Sequence, residues 1–249
     1  MRKRGISHVE MVLSFVIFAA AVGFALYFFN PLDSGRLVES SLIYGFREIS
    51  ENVTIDLETF SVIVENAKIE EDYNPNINPL PPVLVIDFGA DLSELGLKTR
   101  VKTGGGEDLD SLVSMSAARI SLGNNWKEVN LINIWISEEF EDDSPNEGKA
   151  YREDYYEVAS REIEEVISEA RFLNLRDFYY SNYLKMKKDF NIPNRVNIGF
   201  SLALSDGAFI VAEQEIPRGL NVFSETKRVK VLRAESKESE FGDLTISVW

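Results

Sequence analysis

The sequence predicts an α+β protein with an N-terminal transmembrane α-helix and a β-rich ectodomain, in which antiparallel sheets or a sandwich carry an inserted helix pair. An uncharged apolar stretch lies near the N-terminus, segments of alternating apolar and polar residues recur along the rest of the chain, and one helical pattern interrupts them. The chain has 249 residues, 45% of them hydrophobic, which is enough to bury a core in one large or two small domains.

The charge and the rare residue types exclude several classes of function. Acidic residues outnumber basic ones by 41 to 26, and the net charge of −15 argues against a nucleic-acid partner, which would need concentrated Lys and Arg. The chain has no cysteine, so it has no disulfide, no thiolate nucleophile and no sulfur-ligated metal. The single histidine is His8, beside the apolar stretch, which excludes a Ser-His-Asp triad in the ectodomain.

The apolar stretch covers residues 11–29 and predicts a single membrane-spanning helix. These residues carry no charge, and as a helix they would cross roughly 28 Å of hydrocarbon. Basic residues precede the stretch at positions 2–4, and the first charge after it is Asp33. The positive-inside rule then places the N-terminus in the cytoplasm and the remainder of the chain outside the cell membrane.

Three interpretations of this segment differ in where the chain is cut. A secretory signal would be cleaved near the small residues at 19–21, but the apolar run continues through residues 22–29, beyond what such signals need. An uncleaved signal anchor would keep the whole segment. A prepilin-type leader would lose only the residues before the helix.

The residues before the helix form a specific pattern: a basic run, then Gly5, then Glu10 at the fifth position after Gly5, then the apolar helix. This pattern resembles the class III leader of type IV pilins and of archaeal pilin-like proteins. The resemblance implies that a membrane-embedded prepilin peptidase removes residues 1–5 by cutting between Gly5 and Ile6. It also implies that residues 6–29 remain as a helix that bundles with pilin-like subunits or with copies of itself.

Glu10 has a physical role in such a bundle. The free amine of Ile6 would enter an apolar helix core, where an unpaired charge is costly. Glu10 of a neighbouring helix could supply the opposite charge and fix the axial stagger of the two helices. The alternative is that Glu10 only lies in the lipid headgroup region, where placing a carboxylate costs little free energy.

Two further features of the segment bear on helix packing. Ala19 and Gly23 are spaced for one face of a helix and would allow another helix to approach closely, although small residues also face lipid without consequence. Asn30 and Pro31 predict that the helix ends soon after the membrane. In this the chain departs from the long continuous first helix of bacterial pilins.

The exported region begins with a β-rich domain at residues 30–136 and an acidic linker at residues 137–153. Alternating apolar residues predict strands at 51–65, 83–88, 98–102, 117–122 and 127–137. Turn residues separate these strands, among them the glycines at 104–106. The linker has carboxylates for a calcium site, but its spacing matches no EF-hand loop, so a solvated charge run is the favoured interpretation.

A second lobe follows, with a helix pair at residues 154–192 and strands at residues 193–249. Apolar residues at helical spacing define the first helix: Val158, Ile163, Val166, Ile167 and Ala170. Asp177 is the expected N-cap of the second helix, which ends before Ile192 and Pro193. Its aromatic residues, Phe178, Tyr179, Tyr180 and Tyr183, could bind a glycan, but core packing is favoured. Strands are expected at 196–204, 208–215, 227–234 and 244–249, with a hairpin turn at 205–207.

These features favour a pilin-like subunit, of minor or accessory type, in an archaeal surface filament of the type IV pilus class, with adhesion as the expected work of the ectodomain. The alternative is an uncleaved single-pass membrane protein that presents a β-rich extracellular binding module. No residue pair is marked as catalytic, so we expect no enzyme, no metal and no cofactor. Asn52 begins an N-glycosylation sequon, which the predicted topology places outside the membrane.

Overall fold

The computed structural model describes residues 8–28, 33–144 and 148–249. The α-helices of the described chain are α1 His8–Phe28, α2 Asp33–Val53, α3 Asn66–Asp72 and α4 Glu169–Asp189. Its strands are β1 Thr54–Val64, β2 Val83–Asp87, β3 Lys98–Thr103, β4 Asp108–Leu109, β5 Ser111–Ser114, β6 Ala117–Ser121, β7 Leu131–Ser137, β8 Ala150–Tyr151, β9 Tyr156–Ser168, β10 Ile198–Leu204, β11 Phe209–Ala212, β12 Phe223–Leu232 and β13 Ser239–Val248. The predicted β-rich α+β class is confirmed.

The strands form two sheets. The larger sheet has nine strands in the order β11-β10-β13-β12-β9-β1-β7-β3-β4, and the smaller has four in the order β5-β6-β2-β8. Most neighbours are antiparallel, as predicted, but β12 pairs with β9 and β8 pairs with β2 in parallel. The larger sheet takes strands from both sides of the predicted linker, so the two predicted lobes share one sheet.

The layers that cover this sheet lie on the same face. Thr54 of β1 is opposite Ile167, which packs in a cluster with α2 and α4. Phe60 is six residues further along β1, so its side chain points to the same face of the sheet as that of Thr54. It packs in a second cluster, which lies between the two sheets. The odd-numbered residues Ile55 and Leu57 point to the opposite face and join a small third cluster.

Helix α2 was not predicted. Among the side chains of α2 that the structure describes, the buried residues form a stripe at helical spacing: Ser41, Gly45, Phe46, Ile49 and Val53. This stripe lies on β12 and β13, beside α4. Helix α2 therefore links α1 to the folded core.

The helix pair predicted at residues 154–192 is wrong in its first helix, whereas its second helix lies mostly within α4. Its first member is strand β9, which pairs with β1 from Thr54 opposite Ile167 to Val64 opposite Tyr156. Glutamate-rich segments favour helices only weakly, and this long ladder of hydrogen bonds overrides that preference. The helix that follows begins at Glu169, because the Ser168 hydroxyl accepts a hydrogen bond from the Arg171 N–H at 3.1 Å and acts as the N-cap in place of Asp177.

The strands that were predicted agree with the structure to within a few residues. The short strands β4, β5 and β8 and the helix α3 were not predicted. The hairpin turn at 205–207 is confirmed, since the Leu204 N–H donates to the Ala208 carbonyl at 2.9 Å and Gly207 has a φ of +85°. Trp249 is buried, as expected for a chain that ends in a strand.

The acidic segment at 137–153 is held to the folded core on both sides of residues 145–147, which lie outside the described residues. Glu138 and Glu139 pair with Arg171, and Asp142 pairs with Lys98. Phe140 is buried in the third cluster. Much of the predicted charge run is therefore fixed by ion pairs.

Candidate functional site

The most unusual surface of the molecule is helix α1. Its large apolar side chains between residues 11 and 24 are exposed, and the most exposed are Met11 at 69%, Phe15 at 69%, Phe18 at 65% and Phe24 at 65%. Exposed apolar surfaces of this size mark sites of contact with a membrane or another protein. The described residues outside α1 leave these side chains largely accessible.

The apolar residues of α1 occupy every side of the helix, and its only acidic residue, Glu10, lies in the first turn. A helix that is apolar all round is stable only when lipid or other helices surround it. Among the residues that the structure describes, no helix is long and apolar enough to cross a membrane. The described side chains of α1 end at Phe24, whereas the predicted span continues to residue 29.

Glu10 is exposed in the first turn of α1. A carboxylate at this position stabilises the helix through the partial positive charge of the N-terminus. Gly5 and Ile6, the predicted cleavage pair, lie outside the described residues. The cleavage prediction therefore rests on the sequence pattern.

Ala19 and Gly23 lie one turn apart on α1, and both are exposed. A β-carbon added at Gly23 would meet no atom within 4 Å. This face is therefore open to the backbone of another helix, as the predicted packing role requires.

Helix α1 ends at Phe28, and α2 begins at Asp33. Asn30 and Pro31, which predicted the end of the membrane helix, lie between the two and outside the described residues. The apolar helix is thus followed within a few residues by an amphipathic helix that packs on the sheet.

Asn52, the predicted glycosylation site, is exposed near the end of α2. Its Nδ2 donates a hydrogen bond to the Glu48 carbonyl at 3.0 Å. Val53 is buried and Thr54 begins β1, so the sequon joins the helix to the central strand. Only the asparagine side chain projects fully from the surface.

The predicted aromatic group on α4 is mostly part of the core. Tyr179 is fully buried, and its hydroxyl donates to the Ile198 carbonyl at 2.9 Å. The Tyr183 hydroxyl accepts from the Ile198 N–H at 3.1 Å. Burial raises the pKa of both phenols, which is typical of structural tyrosines. Tyr180 is the exposed member.

Many carboxylates of the described residues form ion pairs. No group of three or more Asp, Glu or His residues in the described ranges could hold a metal ion. The densest charge cluster is Arg233 with three carboxylates, Glu169 at 2.9 Å, Asp206 at 2.9 Å and Glu240 at 2.6 Å. The Ala208 N–H lowers the pKa of Asp206 and the Ser205 hydroxyl lowers the pKa of Glu240, and the Arg233 guanidinium adds to both effects.

Comparison with known proteins identifies no relative: no family model matches the chain, and no curated protein or solved structure is detectably similar to it.

Proposed function

We propose that this chain is a pilin-like subunit, of minor or accessory type, of an archaeal surface filament of the type IV pilus class. In this proposal the N-terminal helix anchors the new chain in the cell membrane and then enters a helix bundle after the leader is cleaved. The observation that carries the proposal is the exposed apolar surface of α1.

The energy of that surface supports the proposal. Nine large apolar side chains of α1 are exposed between Met11 and Phe24. Burying one such side chain contributes about 1.5–3 kcal/mol, so nine together contribute on the order of 10 kcal/mol or more. Lipid or neighbouring helices can supply this burial, and the folded ectodomain does not.

Helix α2 gives the proposal a mechanical link. Its buried stripe packs on the sheet, where Phe46, Ile49 and Val53 join the same cluster as α4. A force on α1 would reach this packed helix, because only four residues separate α1 from α2. The ectodomain would then follow the position of α1 in a bundle and form the outer surface of the filament.

The test of leader cleavage compares the wild-type protein with a Gly5→Val variant, both purified from host membranes. We expect the wild type to have the mass of a chain that begins at Ile6, because the leader pattern places the cut after Gly5. We expect Gly5→Val to keep all five leader residues. Ala21→Val, a similar change within α1, is the matched control and should be processed normally.

The opposite outcome is equally clear. A wild-type protein that keeps Met1 would remove the pilin interpretation and favour the uncleaved membrane anchor with an extracellular binding module.

A further inference from the structure

The direction of α2 shows which end of the ectodomain lies next to α1. Val53, at the end of α2, packs in one cluster with Ile167 and Val231, where β9 and β12 end. One to two turns earlier, Phe46 contacts Lys227 in the middle of β12, with the ammonium 3.8 Å from the ring centroid. The helix therefore runs back along β12, and its N-terminus lies at the end of the sheet where β12 begins.

The N-terminus of α2, at this end of the sheet, must remain close to the end of α1. Only four residues separate Phe28 from Asp33, and five extended steps of the chain span at most roughly 18 Å. Phe223, the first residue of β12, is opposite Val248 near the C-terminus. These residues mark what we call the helix-proximal end.

Apolar side chains project from the loop at the helix-proximal end. The loop at 213–222 joins β11 to β12, and Leu220 in it is 51% exposed. Val222 and Phe223 follow, and each is 44% exposed. These three apolar residues lie close together in sequence, on one short segment, and none of them is buried in a core cluster.

Exposed cations lie at the same end. Lys188 is in the last turn of α4. Its neighbour Lys187 donates a hydrogen bond to the Asn194 carbonyl at 2.8 Å. Arg195 is two residues from Asn197, whose N–H and carbonyl pair with Trp249. Arg218 lies in the 213–222 loop. The ion pairs of the described residues include none of Lys188, Arg195 and Arg218, although exposed carboxylates occur nearby at Asp189, Glu213 and Glu215.

We propose that the helix-proximal end docks on the surface of an anionic membrane, with Leu220, Val222 and Phe223 in the lipid interface and Lys188, Arg195 and Arg218 beside the headgroups. Apolar side chains next to cations are the pattern by which protein surfaces bind anionic lipid. The inference rests on the proposed anchoring by α1, which holds this end near the bilayer. Before assembly, the ectodomain would lie against the membrane in a fixed orientation.

Fluorescence quenching by lipid tests this inference on the full-length chain. The chain has no cysteine, so each variant can carry a single introduced one. The variants are Val222→Cys in the proposed surface, Glu235→Cys as a control beyond the opposite end of β12, and Phe18→Cys within α1. Each variant carries an environment-sensitive dye and is reconstituted, one copy per nanodisc, in phosphatidylcholine or phosphatidylglycerol with a shallow doxyl-labelled lipid.

We expect quenching at position 222 to be at least about two-fold stronger than at position 235, since interfacial side chains lie about 5–10 Å into the headgroup boundary. It should be stronger in phosphatidylglycerol than in phosphatidylcholine, and Lys188→Glu with Arg218→Glu should remove that difference. Position 18 should be quenched in both lipids.

Equal quenching at positions 222 and 235, with strong quenching at position 18, would overturn the docking surface and leave the membrane anchor intact. Absence of quenching at position 18 would instead overturn the anchor. Quenching at position 222 that requires several copies per nanodisc would assign this surface to contact between subunits and would also overturn the inference.

Discussion

Ile198 lies directly against the backbone of α2 at Gly45. A β-carbon added at position 45 would lie 2.5 Å from the Cδ1 atom of Ile198 and 3.9 Å from the Cγ2 atom of Ile246. The glycine therefore lets α2, the helix that follows α1, approach the sheet closely.

A large side chain at this contact should loosen the helix. We expect Gly45→Leu to lower the free energy of unfolding by about 1–3 kcal/mol, because overpacking forces the helix away from Ile198. Urea unfolding of the detergent-solubilised chain measures the change. Tyr44→Leu, at the exposed neighbouring position, is the matched control and should stay within about 0.5 kcal/mol of wild type. Equal stability of Gly45→Leu and wild type would contradict the close contact.

The buried phenol of Tyr179 should make stability depend on alkaline pH. Burial raises its pKa above the ordinary value of 10.0, so the folded state keeps a proton that the unfolded state loses. The stabilisation is fully present below pH 10.0 and decreases as the pH rises beyond it. We expect the wild type to lose stability between pH 9 and pH 11 more steeply than Tyr179→Phe, as measured by urea unfolding at several pH values. Parallel curves for the two proteins would be inconsistent with this assignment.

Arg233 should act as the centre of its charge cluster. Arg233→Met leaves Glu169, Asp206 and Glu240 without their cation, and we expect a loss of about 1–3 kcal/mol, reduced from the fully buried case by solvent. Arg176→Met, which removes an exposed pair with Asp177, is the control and should change stability by less than about 1 kcal/mol. Thermal or urea unfolding at pH 7 distinguishes the two variants.

The same variant should alter the acid dependence of stability. Because the pKa values of Asp206 and Glu240 are lowered in the folded state, their contribution is present above the ordinary carboxyl pKa values of 3.8 and 4.5 and is lost as the pH falls below them. Arg233→Met should therefore lose less stability on acidification than wild type. An unchanged slope would show that Arg233 does not set these pKa values.

Glu10 should be needed for assembly and not for cleavage. Glu10→Gln keeps the shape of the side chain and removes the charge that would pair with the amine of Ile6 in a neighbouring helix. We expect normal leader removal by mass spectrometry and loss of filaments by electron microscopy. Glu39→Gln, at an exposed position of α2, is the control and should assemble normally. Filaments of normal number and length from Glu10→Gln would exclude the charge-pairing role.

Asn52 should carry a glycan on the mature protein from its host. It is exposed, and the proposed topology places it outside the membrane. We expect Asn52→Gln and Thr54→Ala to lower the mass by one glycan, whereas Thr54→Ser keeps the sequon and the modification. A wild-type peptide found only in unmodified form would show that the sequon is unused.

Much of the β-structure could be predicted because alternation is a local property. The apolar faces of β1, β2, β3, β6 and β10 are visible in the sequence, and the Asp206-Gly207 dipeptide marks its hairpin directly. Helix α2 also has a local signal, the spacing of Phe46, Ile49 and Val53, but its first residues are polar and follow a proline, and the pattern was missed.

The secondary structure of residues 156–168 shows the limit of such local signals. Val158, Ile163, Val166 and Ile167 fit a helical face, yet Val158 and Ile163 are exposed on a strand. The segment is a strand because β1, more than ninety residues earlier in the chain, pairs with it. The proposed docking surface around Leu220, Val222 and Phe223 was missed for the same reason, since only the direction of α2 shows that this loop lies at the end of the sheet nearer α1.

The order of the residues determined the apolar first helix, the charge asymmetry around it and most of the strands, because these depend on neighbours within a turn or a few residues. Only the tertiary structure decided that one sheet joins both halves of the folded region, that residues 156–168 are extended, and that the described part of the chain leaves the large apolar side chains of α1 exposed. Those outcomes depend on hydrogen bonds and packing between distant segments, and local periodicity carries no information about which segments meet.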